Sequence, residues 1–399
     1  MSTRDPFTGP ALFSYGFRPF FLSASLFGII VIPLWWLVWR GAVVLRSPLG
    51  AVDWHVHEMV FGYGAAVVAG FLFTAVPNWT GRLPTRGWPL VLLVAIWIAG
   101  RCAMAGLMAL GPMAVMLVDQ LFLLAVVLMI SREIVAGRNW RNLKVLFPVT
   151  LLWVANVGFH LESWAQGGAD HGRRLGIALL VFLILLIGGR IIPSFTRNWL
   201  VQRGETRLPT PFGAFDGLCL VVAAVALACW GAAPADPLCA GLSLLAAALH
   251  MWRLLRWCGA RSWRSPLLVM LHLSYLMAPL GFALLAGSAL GVTGADSGAH
   301  VLGIGAIGGM TVAVMMRATM GHTGRPLVAG LALNLAFLGI LVATLMRGLG
   351  YGFEVISLTG IDLSAILWTG SLAVLTWRIG PWLAAPRVAQ KRPTGAPAR

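Results

Sequence analysis

Twelve apolar stretches follow one another along this chain, each near the ~20 residues a helix needs to cross a bilayer. They lie near residues 19–39, 55–77, 88–108, 112–131, 144–165, 175–193, 212–231, 237–257, 266–290, 298–318, 327–346 and 361–382. In lipid the backbone must satisfy its own hydrogen bonds, so runs of this length fold as spanning helices. Only 11% of the 399 residues are charged, too few to wet the surface of a soluble protein of this size. The predicted fold class is therefore an all-α polytopic membrane protein with about 12 transmembrane helices. The connections leave no room for a soluble domain. A single transmembrane domain is predicted over residues 1–385, followed by a Pro-rich, basic, disordered tail at 386–399. The N-terminus lacks a small-residue cleavage pattern, so no removable signal peptide is expected.

The net charge of +16 raises nucleic acid as a partner, but the basic residues gather in loops on one side of a membrane, and no nucleic acid is expected. That side carries Arg82, Arg86, Arg132, Arg138, Arg141, Lys144, Arg197, Arg203, Arg207, Arg253, Arg256, Arg261, Arg264, Arg317 and Arg325. The opposite side carries only Arg40, Arg46, Arg173, Arg174 and Arg347. The rich side reads as cytoplasmic, with both termini there and lipid as the surrounding partner. The five cysteines are scattered within apolar runs without CxxC spacing, which argues against a disulfide framework.

The densest polar group opens the second span, in WHVHEM at 54–59. Ionisable side chains at a membrane helix end are functional candidates by default, and here His55, His57 and Glu58 stand together. Two residues apart on a helix, His55 and His57 point in widely different directions and cannot easily chelate one metal on one face. Each can serve a different centre, or one can orient the other's site. Depth sorts the remaining histidines into an outer group with His160 and His300, and an inner group of His250, His272 and His322. His171, beside Asp170, reads as a solvated loop residue. His300 and His322 are 22 residues apart, about 33 Å along a helix, so they cannot serve one centre. Imidazole binds haem iron, copper and zinc, and a pair from the second and tenth spans suits haem. His272, near Tyr275, is open to copper binding, proton carriage or a hydrogen-bonded structural role.

Arg101, Arg190 and Arg317 lie within or near the ends of spans, where guanidinium can hold haem propionates or snorkel to headgroups. Asp119 can neutralise Arg101 if their helices pack. Glycine runs at 62–70 and 303–310 predict close helix approach. PNWTGR, PSFTRN and GHTGRP close spans two, six and ten, and His55, His171 and His300 stand upstream of Thr80, Thr196 and Thr323. This faint echo suggests a four-helix unit used three times; coincidence explains it equally well. No Walker motif, nucleophile elbow or HExxH occurs.

GFRPFF (16–21), WHVHEM (54–59), AGFLFTAVPNWTGR (69–82), GGRIIPSFTRN (188–198), LHLSY (271–275) and HVLGIGAIGGMTVAVMMRATMGHTGRPL (300–327) resemble the NnrS family. The similarity runs from near residue 13 to near 380. It implies a bacterial inner-membrane protein tied to denitrification and nitric oxide stress, with haem, of b-type, and copper. On matched positions it makes His55, His57, His300 and His272 the leading metal ligands, with His322 behind them and His160 as a further outer candidate. Glu58 is then the candidate to move protons, and quinol or another carrier the electron donor if turnover occurs. Three four-helix arcs are also how haem-copper oxidases are built, a kinship by analogy only. No histidine pair on the seventh span matches that superfamily's copper site. Whether nitric oxide is turned over by a haem-dependent oxidoreductase, sensed or sequestered stays open. So do a transporter of a metal, a haem-related or a small anionic substrate, and an assembly factor for denitrification enzymes.

Overall fold

In the computed structural model, which describes residues 7–348, 354–355 and 358–388, the apolar runs fold as twelve helices. They are α1 (Phe17–Trp39), α2 (Ala51–Thr80), α3 (Trp88–Met104), α4 (Pro112–Ala136), α5 (Leu143–Gln166) and α6 (Asp170–Val201), then α7 (Ala214–Ala232), α8 (Pro237–Leu255), α9 (Pro266–Ala289), α10 (Ser297–Thr323), α11 (Gly330–Gly348) and α12 (Gly360–Ala384). Eleven are long and apolar enough to span. The predicted tail falls, from residue 389 onward, outside the described residues. The five cysteines are free thiols.

Most neighbours in sequence are neighbours in space, and α1 packs against α12, so the first and last helices lie side by side. The contact is specific at the arginine-rich end, where Arg18 donates to the carbonyls of Leu383 (2.8 Å) and Ala385 (2.6 Å). A buried guanidinium there satisfies carbonyls that the end of α12 leaves without helical partners. α2 and α10 are the most enclosed helices, with 78% and 72% of their apolar windows buried inside the protein. α6 touches both. The helices spaced four apart in the chain, α2, α6 and α10, thus share one interior.

Several predicted spans need their ends corrected: α2 starts at Ala51 rather than 55, α4 runs to Ala136 rather than 131, and α10 runs to Thr323 rather than 318. The third, expected over 88–108, stops at Met104 as a helix of 17 residues, about 25 Å at ~1.5 Å per residue. Gly106 adopts φ +72°, so the chain turns out of the helix there. Arg101 therefore sits in the last turn rather than mid-helix. The sixth, expected over 175–193, extends over Asp170–Val201. Pro193 lies inside it, since a proline removes one rung without ending a helix whose neighbours pack well. His171 is accordingly helical, not in a loop, although its side chain remains exposed beside Glu162 (2.9 Å). Arg253, expected in a loop, is fully buried on α8.

The threonines of the threefold echo share a side-chain bond that is common in this bundle, since Thr74, Thr150 and Thr344 make it too. Thr80, Thr196 and Thr323 each donate a hydroxyl to the carbonyl four residues back, at 2.9, 2.9 and 2.6 Å. α2 and α10 share a second feature. Each contains a stretch wound as π-helix, Glu58–Gly64 in α2 and Val301–Gly308 in α10. Such segments are rare and collect at functional sites.

Gly106 gives a stability test. A Cβ there would meet the Arg46 carbonyl oxygen at 2.3 Å, in a backbone conformation that costs an L-residue about 1–2 kcal/mol. Gly106→Ala should lower the Tm in detergent by several degrees. Gly111→Ala, with nothing within 4 Å of the new Cβ, should leave it unchanged.

Candidate functional site

The two histidines of WHVHEM face opposite ways. Two helical residues correspond to a rotation of about 200°. One ring lines a cavity and the other enters a buried polar network.

The cavity measures about 560 Å³ and lies at the end of the bundle where α2, α6 and α10 begin. Its wall includes His55 from α2 and His300 from α10. Trp35 of α1 packs on the His55 ring, with centroids 4.3 Å apart. The Nδ1 atom of His55 is buried without a hydrogen-bond partner among the described residues. His300 donates from Nδ1 to the Asp296 carbonyl at 2.8 Å, which leaves Nε2 with its lone pair free. Three cations share the wall: Arg173 and Arg174 from the start of α6, and Arg347 from the end of α11. Arg173 is held by Asp53 (3.1 Å) and by Asp170, and Arg174 donates to the Gly231 carbonyl (3.1 Å). Arg347 makes no hydrogen bond or ion pair among the described residues. The wall is otherwise largely apolar, as small-molecule sites are, with Tyr63, Trp35 and Trp368 among its members.

This arrangement fits a haem. The volume lies in the range of small-molecule sites, two imidazoles from separate helices face one space, and guanidinium forks suit propionates.

The network sits on the other side of α2. Arg101 from α3 donates to Glu58 through one terminal nitrogen and to Asp119 of α4 through the other. Asn156 of α5 donates Nδ2 to Asp119 Oδ2 at 2.7 Å, and that fixes its carbonyl oxygen against His57 Nε2, at 2.9 Å. The other ring nitrogen of His57 faces Glu58 Oε1 at 3.0 Å. Both nitrogens thus meet acceptors, which a ring carrying two N–H groups satisfies. His160 joins through Nε2, 3.2 Å from Asp119 Oδ2. All six side chains are buried.

His57, Asp119 and His160 offer the donor set of a transition-metal site, with ligand atoms within 4.8 Å of one another. As arranged, however, the donors are spent on one another, and the Arg101 cation already sits on Asp119. A divalent copper ion added beside a guanidinium meets strong repulsion in so dry a place. The network as folded does not fit copper.

The expected outer group of four histidines is thus divided in two, His55 with His300 and His57 with His160. The expected pairing of Arg101 with Asp119 is present. Several other candidates stand away from both places. His272 donates from Nδ1 to the Leu268 carbonyl (2.9 Å), and His322 is exposed at the far end, beside the rings of Tyr15 and Phe17. Arg190 lies over Trp79 and Arg317 over Phe195, so neither reaches the cavity. His250 is satisfied by Tyr275 (2.8 Å) and the Cys219 carbonyl (3.0 Å).

The chain matches the family model described as NnrS protein over residues 11–387. It belongs to the NnrS family. The comparison with curated proteins gives no match. An NnrS membrane protein of the nitric oxide response is thus built here around two adjacent polar places, a cavity and an ion network.

Sequence reasoning overlooked the cavity arginines, yet a signal existed. Arg173, Arg174 and Arg347 are among the few cations on the arginine-poor side, and a cation against the orientation rule calls for a local reason. It also overlooked a second buried ion pair, Arg253 with Asp216 (2.8 Å), to which Tyr275 is bonded (3.0 Å).

The ion network predicts non-additive mutations. Arg101→Met alone strands two buried carboxylates, and breaking such a pair costs about 3–5 kcal/mol. The yield of monodisperse protein should collapse. Adding Glu58→Gln and Asp119→Asn removes the stranded charge and should restore much of it, as read by size-exclusion chromatography and thermal melting.

Proposed function

We propose that this NnrS protein holds a b-type haem in the cavity between α2 and α10, and that nitric oxide or an iron-nitrosyl species meets it there, near the periplasmic face. The observation that carries this reading is that His55 and His300 line one cavity of about 560 Å³ together with Arg173, Arg174 and Arg347. His55 and His300 are the imidazoles that would hold the haem iron, and one of the two suffices when the iron takes the gas. The arginines would hold the propionates, and Arg347 has the fewest competing partners. When bound, haem iron supplies direct ligation of the gas and one-electron chemistry.

The chain's own residues prepare the space. Asp296, through its carbonyl, sets the tautomer of His300 so that Nε2 keeps its lone pair. Trp35, packed against His55 with the two rings tilted by 30°, restricts the ring's rotation. The apolar part of the wall lowers the local dielectric, which strengthens electrostatic contacts beside it. Glu58, bonded to His57 behind the wall, is the candidate proton carrier. The electron donor would be a quinol or another carrier from the membrane or beyond it.

Purified protein should show a Soret band that shifts on reduction and on addition of nitric oxide. His55→Ala and His300→Ala should each remove the band or change its coordination signature. Arg347→Ala should weaken haem retention on the order of tenfold, the worth of a charge-assisted hydrogen bond. His322→Ala, at the far end, should leave the spectrum untouched. Native spectra in both the His55 and His300 variants would overturn the assignment.

A further inference from the structure

The two π-turns lie on different helices, yet one chain of hydrogen bonds connects them. The Thr311 hydroxyl donates to the carbonyl of Gly308, the last residue of the π-turn in α10, at 2.9 Å. With its proton committed there, Thr311 Oγ1 accepts from the Tyr63 hydroxyl, 2.8 Å away. Tyr63 belongs to the π-turn of α2. It is fully buried, and its ring lines the cavity. The ring also meets Trp368 of α12 edge-on, with centroids 5.6 Å apart. Trp368 in turn donates to the Gly28 carbonyl of α1 at 3.1 Å, and it occupies the space that a Cβ at Gly308 would need, 2.5 Å away.

The consequence lies upstream. His300 immediately precedes the π-turn of α10, and His55 stands three residues before that of α2. A π-turn that reverted to α-helix would shift the register by one residue and turn everything before it by about 100°. The aim of each imidazole therefore depends on its π-turn being held.

We propose that the Tyr63–Thr311 hydrogen bond is the positioning contact that locks the two π-turns to each other, and so fixes how His55 and His300 face one another across the cavity. The role assigned to the histidines rests on the haem reading; the lock itself does not. Tyr63 and Thr311 act in this role through the backbone of the two helices.

The test uses three variants of the full-length protein in detergent. Tyr63→Phe and Thr311→Val remove the hydroxyls with little change of shape, and Thr311→Ser keeps the hydroxyl. Hydrogen–deuterium exchange reads the lock without any haem. Thr311→Val, a change on α10, should speed exchange roughly fivefold at residues 58–64 of α2 as well as at 301–308, the size expected for one lost hydrogen bond. Tyr63→Phe should do the same, and Thr311→Ser should match the wild type. In haem-loaded protein, the ferric electron paramagnetic resonance signal should broaden and shift in Tyr63→Phe and Thr311→Val at unchanged haem content, and Thr311→Ser should restore it. Exchange that changes in one π-turn only, or equally in all three variants, would overturn the lock. A wild type without a Soret band would remove the haem reading while exchange still judged the lock.

Discussion

A guanidinium wedged between two carboxylates decides how the first half of this protein assembles. Arg101 reaches Glu58 on α2 and Asp119 on α4 at once. Taking such charges out of water costs several kcal/mol per ion unless they meet partners. No helix of the three can present its charge to lipid, so each needs the other two. Asn156 and His160 then satisfy the remaining lone pairs of Asp119, which draws α5 into the same cluster. Hydrophobic packing between membrane helices is weakly directional, because lipid tails are as apolar as leucine. The ion network supplies the direction that packing lacks.

The chain displays its helices openly and its site only in part. Apolar runs name the spans because their length is set by the bilayer, but their ends were less legible, in α2, α4 and α10 as well as at Gly106 and Pro193. Those two residues show why. A glycine ends a helix only where the fold needs positive φ, and a proline continues one where neighbouring helices compensate. The pairing of Arg101 with Asp119 was legible because unlike charges in lipid must find each other. Asn156 was not, since a neutral amide in an apolar run carries no sign to match. The cavity was legible only as two histidines at one depth, whereas its arginines depend on how α6 and α11 lean in.

The π-turns were the least legible feature. Glycines in GYGAAVVAG and GIGAIGGM predict close approach, and close approach is present, with Gly308 against Trp368 and Gly64 against Leu180. Winding is a different property. A π-turn leaves carbonyls poorly matched along its own helix, and it persists where neighbours accept the burden. Trp97 of α3 donates to the Gly62 carbonyl at 3.1 Å, and Thr311 donates to that of Gly308. Trp97 comes from another helix, whereas Thr311 lies three residues from its acceptor, so a local window of sequence contains only part of the reason for the winding.

The contrast between His55 and His57 brings these threads together. Identical side chains two residues apart receive opposite surroundings because a helix turns about 200° between them. His57 has both nitrogens occupied by oxygen acceptors, and a ring so occupied has no lone pair for a metal. His55 has a buried Nδ1 with no hydrogen-bond partner among the described residues, and its side chain helps to line the cavity. The first anchors the helix and the second is left free by that anchoring. A ligand ring on a mobile helix would lose affinity to the entropy of being held, and the ion network behind α2 has already removed that freedom. The histidine that binds nothing in the proposed scheme is therefore what gives its neighbour a fixed direction in which to bind.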